Sequence, residues 1–145
     1  IAHLIVSSRP VTTADQLVEI VTQAVRPPHA SSALARVFQA LRIVVNDELG
    51  SLARGLEEAY RVLRPCGRLA AISFHSLEDR MVKDFFKGHA AGCICPPGLP
   101  QCVCGHEPTM RVLTRKPVTP RPAEVEANPR SASAKLRVAV RLEEA

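Results

Sequence analysis

The 145-residue sequence predicts an α/β fold, on three observations. Arg68 to Phe74 (RLAAISF) is a short apolar run behind Gly67, the pattern of a strand buried on both faces of a parallel sheet. Apolar residues recur at helical spacing before it (Leu49, Leu52, Leu56, Tyr60, Leu63) and after it (Leu77, Met81, Val82, Phe85, Phe86). Lys135 to Leu142 (KLRVAVRL) alternates polar and apolar, as a half-exposed strand does. Helix, turn, strand, turn, helix is the rhythm of an α/β sheet.

The elements follow in order. Ile1, Leu4 and Ile5 share the face of a helix that Arg9-Pro10 ends, because the residue before a proline is pushed out of the helical region. Thr12 or Thr13 caps a second helix running to about Val25, with Leu17, Val18, Val21 and Val25 as its stripe. Arg26-Pro27-Pro28-His29 reads as a stiff connector, and Ser31 or Ser32 as the cap of a third helix. The core face of that helix is Leu34, Val37, Phe38, Leu41, Val44 and Val45. Asn46-Asp47-Glu48 is a kink or a fresh start, and Pro65-Cys66-Gly67 a turn. After the strand, Ser76 caps a helix with Asp79 as its capping-box partner, and Gly88 ends it. Residues 89–110 are rich in Cys, Pro and Gly and read as loop, residues 110–116 alternate moderately, and residues 117–130 are polar and proline-rich.

Composition narrows the function classes. No Trp and one Tyr leave the core to Leu, Val, Ile and Ala. A net charge of +5 and a pI near 9.3 favour an anionic partner such as nucleic acid. No apolar run approaches the roughly 18 residues of a membrane span, and nothing reads as a signal peptide, so a cytoplasmic protein is expected.

Four groups of residues are chemically suggestive. His75 and Ser76 follow the strand at the amino end of a helix, where open α/β sheets bind ligands and free N–H groups carry partial positive charge. They either orient a substrate base or serve only as a local cap. His75 and Glu78 also resemble half of a metal site, but two ligands are too few. Arg36, Gln39, Arg42 and Asn46 share one helix face that either grips phosphate and reads base edges or pairs with Asp47 and Glu48. Arg80 and Lys83 add basic groups on the helix after the strand. Arg130, Lys135 and Arg137 either contact phosphate or guard an edge strand against aggregation.

Cys93-x-Cys95 and Cys102-x-Cys104 form the fourth group. Their spacing suits a structural zinc in a reducing compartment, with His89 and His106 as spare ligands; free thiols or a local disulfide are the alternatives. No Gly-x-Gly segment follows any strand, and no nucleophile motif with a paired His and acid is evident.

Three strings carry a family resemblance: VFQALRIVVNDEL (37–49), GRLAAISFHSLEDRMVKDFF (67–86) and NPRSASAKLRVAV (128–140). They resemble the MraW-type small-subunit rRNA (cytosine-N4)-methyltransferases over essentially the whole chain. The resemblance implies the carboxyl-terminal half of a Rossmann-like S-adenosylmethionine-dependent methyltransferase fold, preceded by the end of a helical inserted domain. Residues 1–30 would belong to that insert, and residues 31–145 to the methyltransferase domain. RLAAISF would be a central parallel strand, with the last two strands closing one side of the sheet.

The family's cofactor site lies in its first half, so no cofactor-binding residue is assigned here. His75 and Ser76 become the catalytic candidates on the substrate side, and small-subunit ribosomal RNA or the ribosomal subunit the expected partner. A homodimer is compatible with the resemblance. A fragment with these residues alone is expected to be inactive. The competing reading is a zinc-stabilised RNA-binding module without catalysis. Two departures stand out: the usual Pro-Gly-Gly turn is Pro65-Cys66-Gly67, and the usual basic residue of the Asn-Pro-Arg motif is Ala132, so one expected RNA contact is lacking.

Overall fold

The computed structural model of the protein describes residues 1–93, 95 and 101–143. Two compact units divide between Glu48 and Leu49.

The first unit is helical: α1 (Ala2–Ser7), α2 (Ala14–Ala24) and α3 (Pro27–Val45). Thr13 caps α2 with a complete capping box closed by Gln16, so two otherwise orphaned N–H groups are satisfied. Helix α3 begins at Pro27, not after Ser31 or Ser32. Prolines fit the first helical turn because their missing N–H has no partner there in any case. Leu17, Val21 and Ala33 form the core, with Ile5, Val11, Val25, Leu34 and Val37 against it. The core stops at Val37. Phe38, Leu41, Val44 and Val45, expected to face it, are exposed, the last two by 79% and 81%. Asn46 caps α3, Asp47 adopts a positive φ of 48°, and the chain starts afresh in α4 (Glu48–Val62).

The second unit holds the sheet. Its elements, after α4, are β1 (Arg68–Ser73), α5 (Ser76–His89), β2 (Met110–Val112), α6 (Pro122–Ala127), a 3-10 turn at Pro129–Ser133 and β3 (Lys135–Arg141). The strand order is β1-β3-β2, with β3 antiparallel to both neighbours. Arg68 stands opposite Val140 and Ser73 opposite Lys135; Met110 stands opposite Arg141. Helix α6 was not visible in the proline-rich sequence; Pro122 starts it in the first-turn position.

One expectation fails here. RLAAISF is not buried on both faces: Ile72 is 62% exposed and Phe74 54%. Among the described residues its only ladder is antiparallel, to β3. Leu69, Ala71 and Ser73 turn toward the helices, and the alternate residues toward the uncovered face. Within this chain, period-2 alternation decides which residues of the run are covered.

The core is Leu56 of α4, Val82 and Phe86 of α5, Met110 of β2 and Ala139 of β3. Arg141 locks α4 to the sheet. Its Nη1 donates to the Tyr60 and Leu63 carbonyls at 3.2 and 2.7 Å, and the guanidinium lies 4.9 Å from the Tyr60 ring centre. A cation on the final carbonyls of a helix answers both its orphan acceptors and its dipole.

Candidate functional site

Strand β1 ends at Ser73 and the chain turns into α5 through Phe74 and His75. The sequence suggested Ser76 as the cap and Asp79 as its partner; the structure assigns both tasks differently. His75 is the N-cap: its Nδ1 accepts the Glu78 N–H at 3.3 Å. Glu78 Oε2 accepts the N–H groups of Phe74 and His75 at 2.9 and 3.2 Å. Glu78 is thus consumed by the capping box, and Ser76 is the exposed first residue of the helix. An imidazole nitrogen can do what a hydroxyl normally does because the extended backbone of His75 aims the ring back at the helix.

This arrangement has a chemical consequence. Because Nδ1 accepts, the neutral ring carries its proton on Nε2. The His75 side chain is only 10% exposed, and Nε2 is buried with no hydrogen-bond partner. Glu78 Oε1 lies 3.2 Å away, near enough to pair with a charged ring but not aligned as an acceptor. A buried N–H without a partner is costly unless something else accepts it.

Asp79 pairs with β3 instead of capping α5. Arg137 Nε and Nη2 donate to its two oxygens at 2.7 and 3.1 Å, and Lys135 Nζ stands 3.7 Å away. The Arg137 hydrogen bonds hold the Asp79 carboxyl below its usual range, against the opposing effect of burial. Arg137 was expected to grip phosphate. It is 7% exposed, and its Nε and Nη2 are engaged by Asp79.

The other basic candidates divide. Arg80 is exposed and lines a groove of about 810 Å³ between α4 and α5, with Arg54, Arg61, Glu57 and Asp84. Lys83 borders a second hollow of about 470 Å³, with Lys87, Arg115 and Arg137 over a floor that includes Phe86 and Val112. Among the described residues, no acidic one lines that hollow. Lys87 and Arg115 went unremarked in the sequence. Lys83 and Lys87 are one helical turn apart, which could have been noticed, but only the fold brings Arg115 beside them. Arg130 is exposed on the 3-10 turn, where Ser131 Oγ donates to the Asn128 carbonyl at 2.8 Å. Lys135 is about one-third exposed.

In the helical unit, Arg42 Nε and Nη2 donate to Glu48 at 2.7 and 3.3 Å, and Asn46 Nδ2 donates to the same carboxylate at 3.3 Å. Arg36 Nε donates to the Ser32 carbonyl, and Gln39 is half-buried. Of the two readings of this face, internal pairing describes Arg42 and Asn46.

The four cysteines of the loop converge. Sγ–Sγ separations are 3.4 Å for Cys102–Cys104, 3.8 Å for Cys93–Cys104 and 4.0 Å for Cys95–Cys102. All four sulfurs lie within 4.8 Å of one another. For Cys93, the Cys95 N–H favours the thiolate. The neighbouring thiols of Cys102, Cys95 and Cys104 and desolvation outweigh it and push the pKa up to about 12. The prolines and glycine expected to fold this loop back, Pro96, Pro97, Gly98 and Pro100, lie outside the described residues.

Residues 1–142 match the family model described as the MraW methylase family. The chain belongs to the MraW methylase family. It is 56% identical over 99% of its length to a ribosomal RNA small subunit methyltransferase H of Symbiobacterium thermophilum, covering 47% of that protein. Proteins of the same name from Thermomicrobium roseum and Geobacter sulfurreducens are each 52% identical over 98% of this chain, which covers 45% and 48% of them. The chain thus spans about half the length of the curated relatives it matches. Among the described residues, no helix is long and apolar enough to cross a membrane.

Proposed function

We propose that these residues form the RNA-facing part of a methyltransferase that modifies the exocyclic N4 amine of a cytidine in small-subunit ribosomal RNA, using S-adenosylmethionine, in the cytoplasm. The observation that carries the reading is the junction of β1 and α5. It ends a strand of an α/β sheet, where such sheets bind ligands, and it carries His75, whose Nε2 lies 3.2 Å from Glu78 Oε1 without an aligned acceptor. Membership of the family supplies the reaction class.

The sheet is then the carboxyl-terminal part of a Rossmann-like sheet. Two features support this: β1 and β2 run parallel to each other with β3 between them, and the second edge of β1 has no ladder among the described residues. Residues 1–30 fall to a helical insert. S-adenosylmethionine brings a methyl group that is already activated. No glycine-rich turn follows a strand among the described residues, so none of them is assigned to holding it.

What these residues do is position the base. The amine of cytosine is a weak nucleophile, because its lone pair is delocalised into the ring. It must be held within about 3–3.5 Å of the methyl carbon, in line. His75, donating from Nε2, meets the ring nitrogen or carbonyl that flank the amine, both of which are acceptors. Ser76, exposed at the first turn, stands on the same rim. The cytidine must leave its stack to enter, and the cations bordering the hollow at Lys83, Lys87 and Arg115 hold the flanking phosphates.

The test uses the protein at the length of its relatives, with S-adenosylmethionine and small-subunit RNA from cells lacking the modification. Methylation at the N4 amine is expected. His75→Ala should lower kcat by about 100-fold with a smaller change in KM, as misplacement of a bound base does. Methyl transfer to another atom, or none, refutes the assignment. Unchanged kcat in the variant removes His75 from it. The fragment alone is expected to bind RNA without transferring methyl. A non-catalytic RNA-binding module would instead leave the full-length protein inactive as well.

A further inference from the structure

We propose that Cys93, Cys95, Cys102 and Cys104 bind one zinc ion as a closed, structural tetrathiolate site. The proposal goes beyond methyl transfer and does not depend on it.

The geometry carries the argument. With Zn–S near 2.3 Å, the edges of a tetrahedron of sulfurs are about 3.8 Å long. The recorded edges of 3.4, 3.8 and 4.0 Å straddle that length, and no pair exceeds 4.8 Å. No disulfide joins them: that bond needs about 2.05 Å, and all four cysteines are free. Thiolates select zinc, copper(I) or iron–sulfur clusters. A cluster places several irons and sulfides between its cysteines and would hold the sulfurs farther apart than 4.8 Å. One tetrahedral ion fits. The Cys95 N–H also donates to Cys93 Sγ at 3.4 Å, the outer hydrogen bond that steadies a ligating thiolate.

The role follows from the coordination. Four sulfurs fill every position, leaving none for water or substrate, so the ion is not a chemical centre. It sits on the loop between α5 and β2. The base of that loop is already pinned: His89 Nδ1 lies 2.9 Å from Thr109 Oγ1, and the Thr109 N–H donates to the His89 carbonyl at 2.8 Å. The ion ties Cys93 to Cys104 above this pin and fixes exposed residues such as Val103. None of the four cysteines belongs to the core around Phe86, so losing the ion should loosen the loop and spare the core.

The experiment purifies the protein reduced, without added metal, and dialyses it against metal-free buffer. About one zinc per chain is expected, and cobalt(II) in its place should give the absorption of a tetrahedral thiolate complex. The double variant C93S/C102S should lose zinc by about tenfold or more while keeping its far-UV circular dichroism. Less than a tenth of an equivalent of zinc, an octahedral cobalt spectrum, or full zinc in the double variant overturns the proposal. If the variant does not fold, alkylation of the unaltered protein decides. Exposed Cys66 should react at once and the other four only after chelation. Reactivity of those four that chelation leaves unchanged overturns the proposal too.

Discussion

The Asp79–Arg137 pair is nearly sealed from water, with side chains 14% and 8% exposed. Two charges in such a place are tolerable only together. Their net worth against an apolar pair is small, but removing one strands the other. Arg137→Ala should therefore destabilise the sheet unit by about 3–5 kcal/mol, read by denaturant unfolding. The pH dependence has a definite sign. Because folding lowers the Asp79 pKa below 3.8, the unfolded chain takes up a proton first on acidification. The stabilisation is complete above the ordinary pKa and is lost as pH falls through the lower folded value. Asp79→Asn should flatten the acid limb of the stability curve below about pH 4. Gly67 is the other single position with no latitude. A Cβ there would stand 2.7 Å from the Arg64 carbonyl oxygen and 2.7 Å from Leu63 Cδ1. Gly67→Ala should cost about 1–3 kcal/mol in thermal or denaturant unfolding. Its neighbour Cys66 takes the positive φ of 61° that a second glycine would accept without strain, which is where this turn departs from the family's usual Pro-Gly-Gly.

At the scale of elements, α5 links the core to the basic hollow. Its apolar face packs Val82 and Phe86 into the core, which leaves Lys83 and Lys87 on the rim of the basic hollow. Arg115 arrives there from beyond β2. If these cations meet phosphates, each alanine substitution should weaken binding to small-subunit RNA whatever its sequence. Each should also reduce the slope of log K against log salt by about one. A titration over several salt concentrations checks it; unchanged slopes would move the phosphate contacts elsewhere. The helices α2, α4 and α5 and the strands β1 and β3 were legible in the sequence because their apolar periods are long and clean. Three things were not. A histidine cap hides from rules written for Ser and Asp. The burial of β1 depends on what lies across the sheet, which no local window reports. Arg137 looks like any basic residue until β3 is seen to carry it across from Asp79 of α5. For the candidate site, the place of His75 and Ser76 between strand and helix could be read, while the setting of the His75 ring beside Glu78 and the convergence of Arg115 with Lys83 could not.

For the molecule as a whole, the uncovered side of β1 raises the sharpest question. Ile72 on β1 is 62% exposed and Phe74 just after it 54%, and the strand has no ladder along its second edge among the described residues. Exposed single apolar residues are ordinary, but an apolar strand edge and face together invite pairing. Under the Rossmann-like reading, in a protein of its relatives' length that side of β1 is covered by further sheet and helices. The two situations give opposite results for one substitution. In this chain Ile72→Asp replaces an exposed side chain and should change stability by no more than about 0.5 kcal/mol. In the longer protein the same aspartate would be buried without a partner, so it would destabilise strongly, by about 3 kcal/mol or more, and would depress methylation through loss of folded enzyme. Unfolding curves for the pair of variants in both lengths decide the matter. Equal, small effects in both would mean that β1 is an edge strand in the longer protein too, and His75 would then have to work beside solvent instead of inside a cleft.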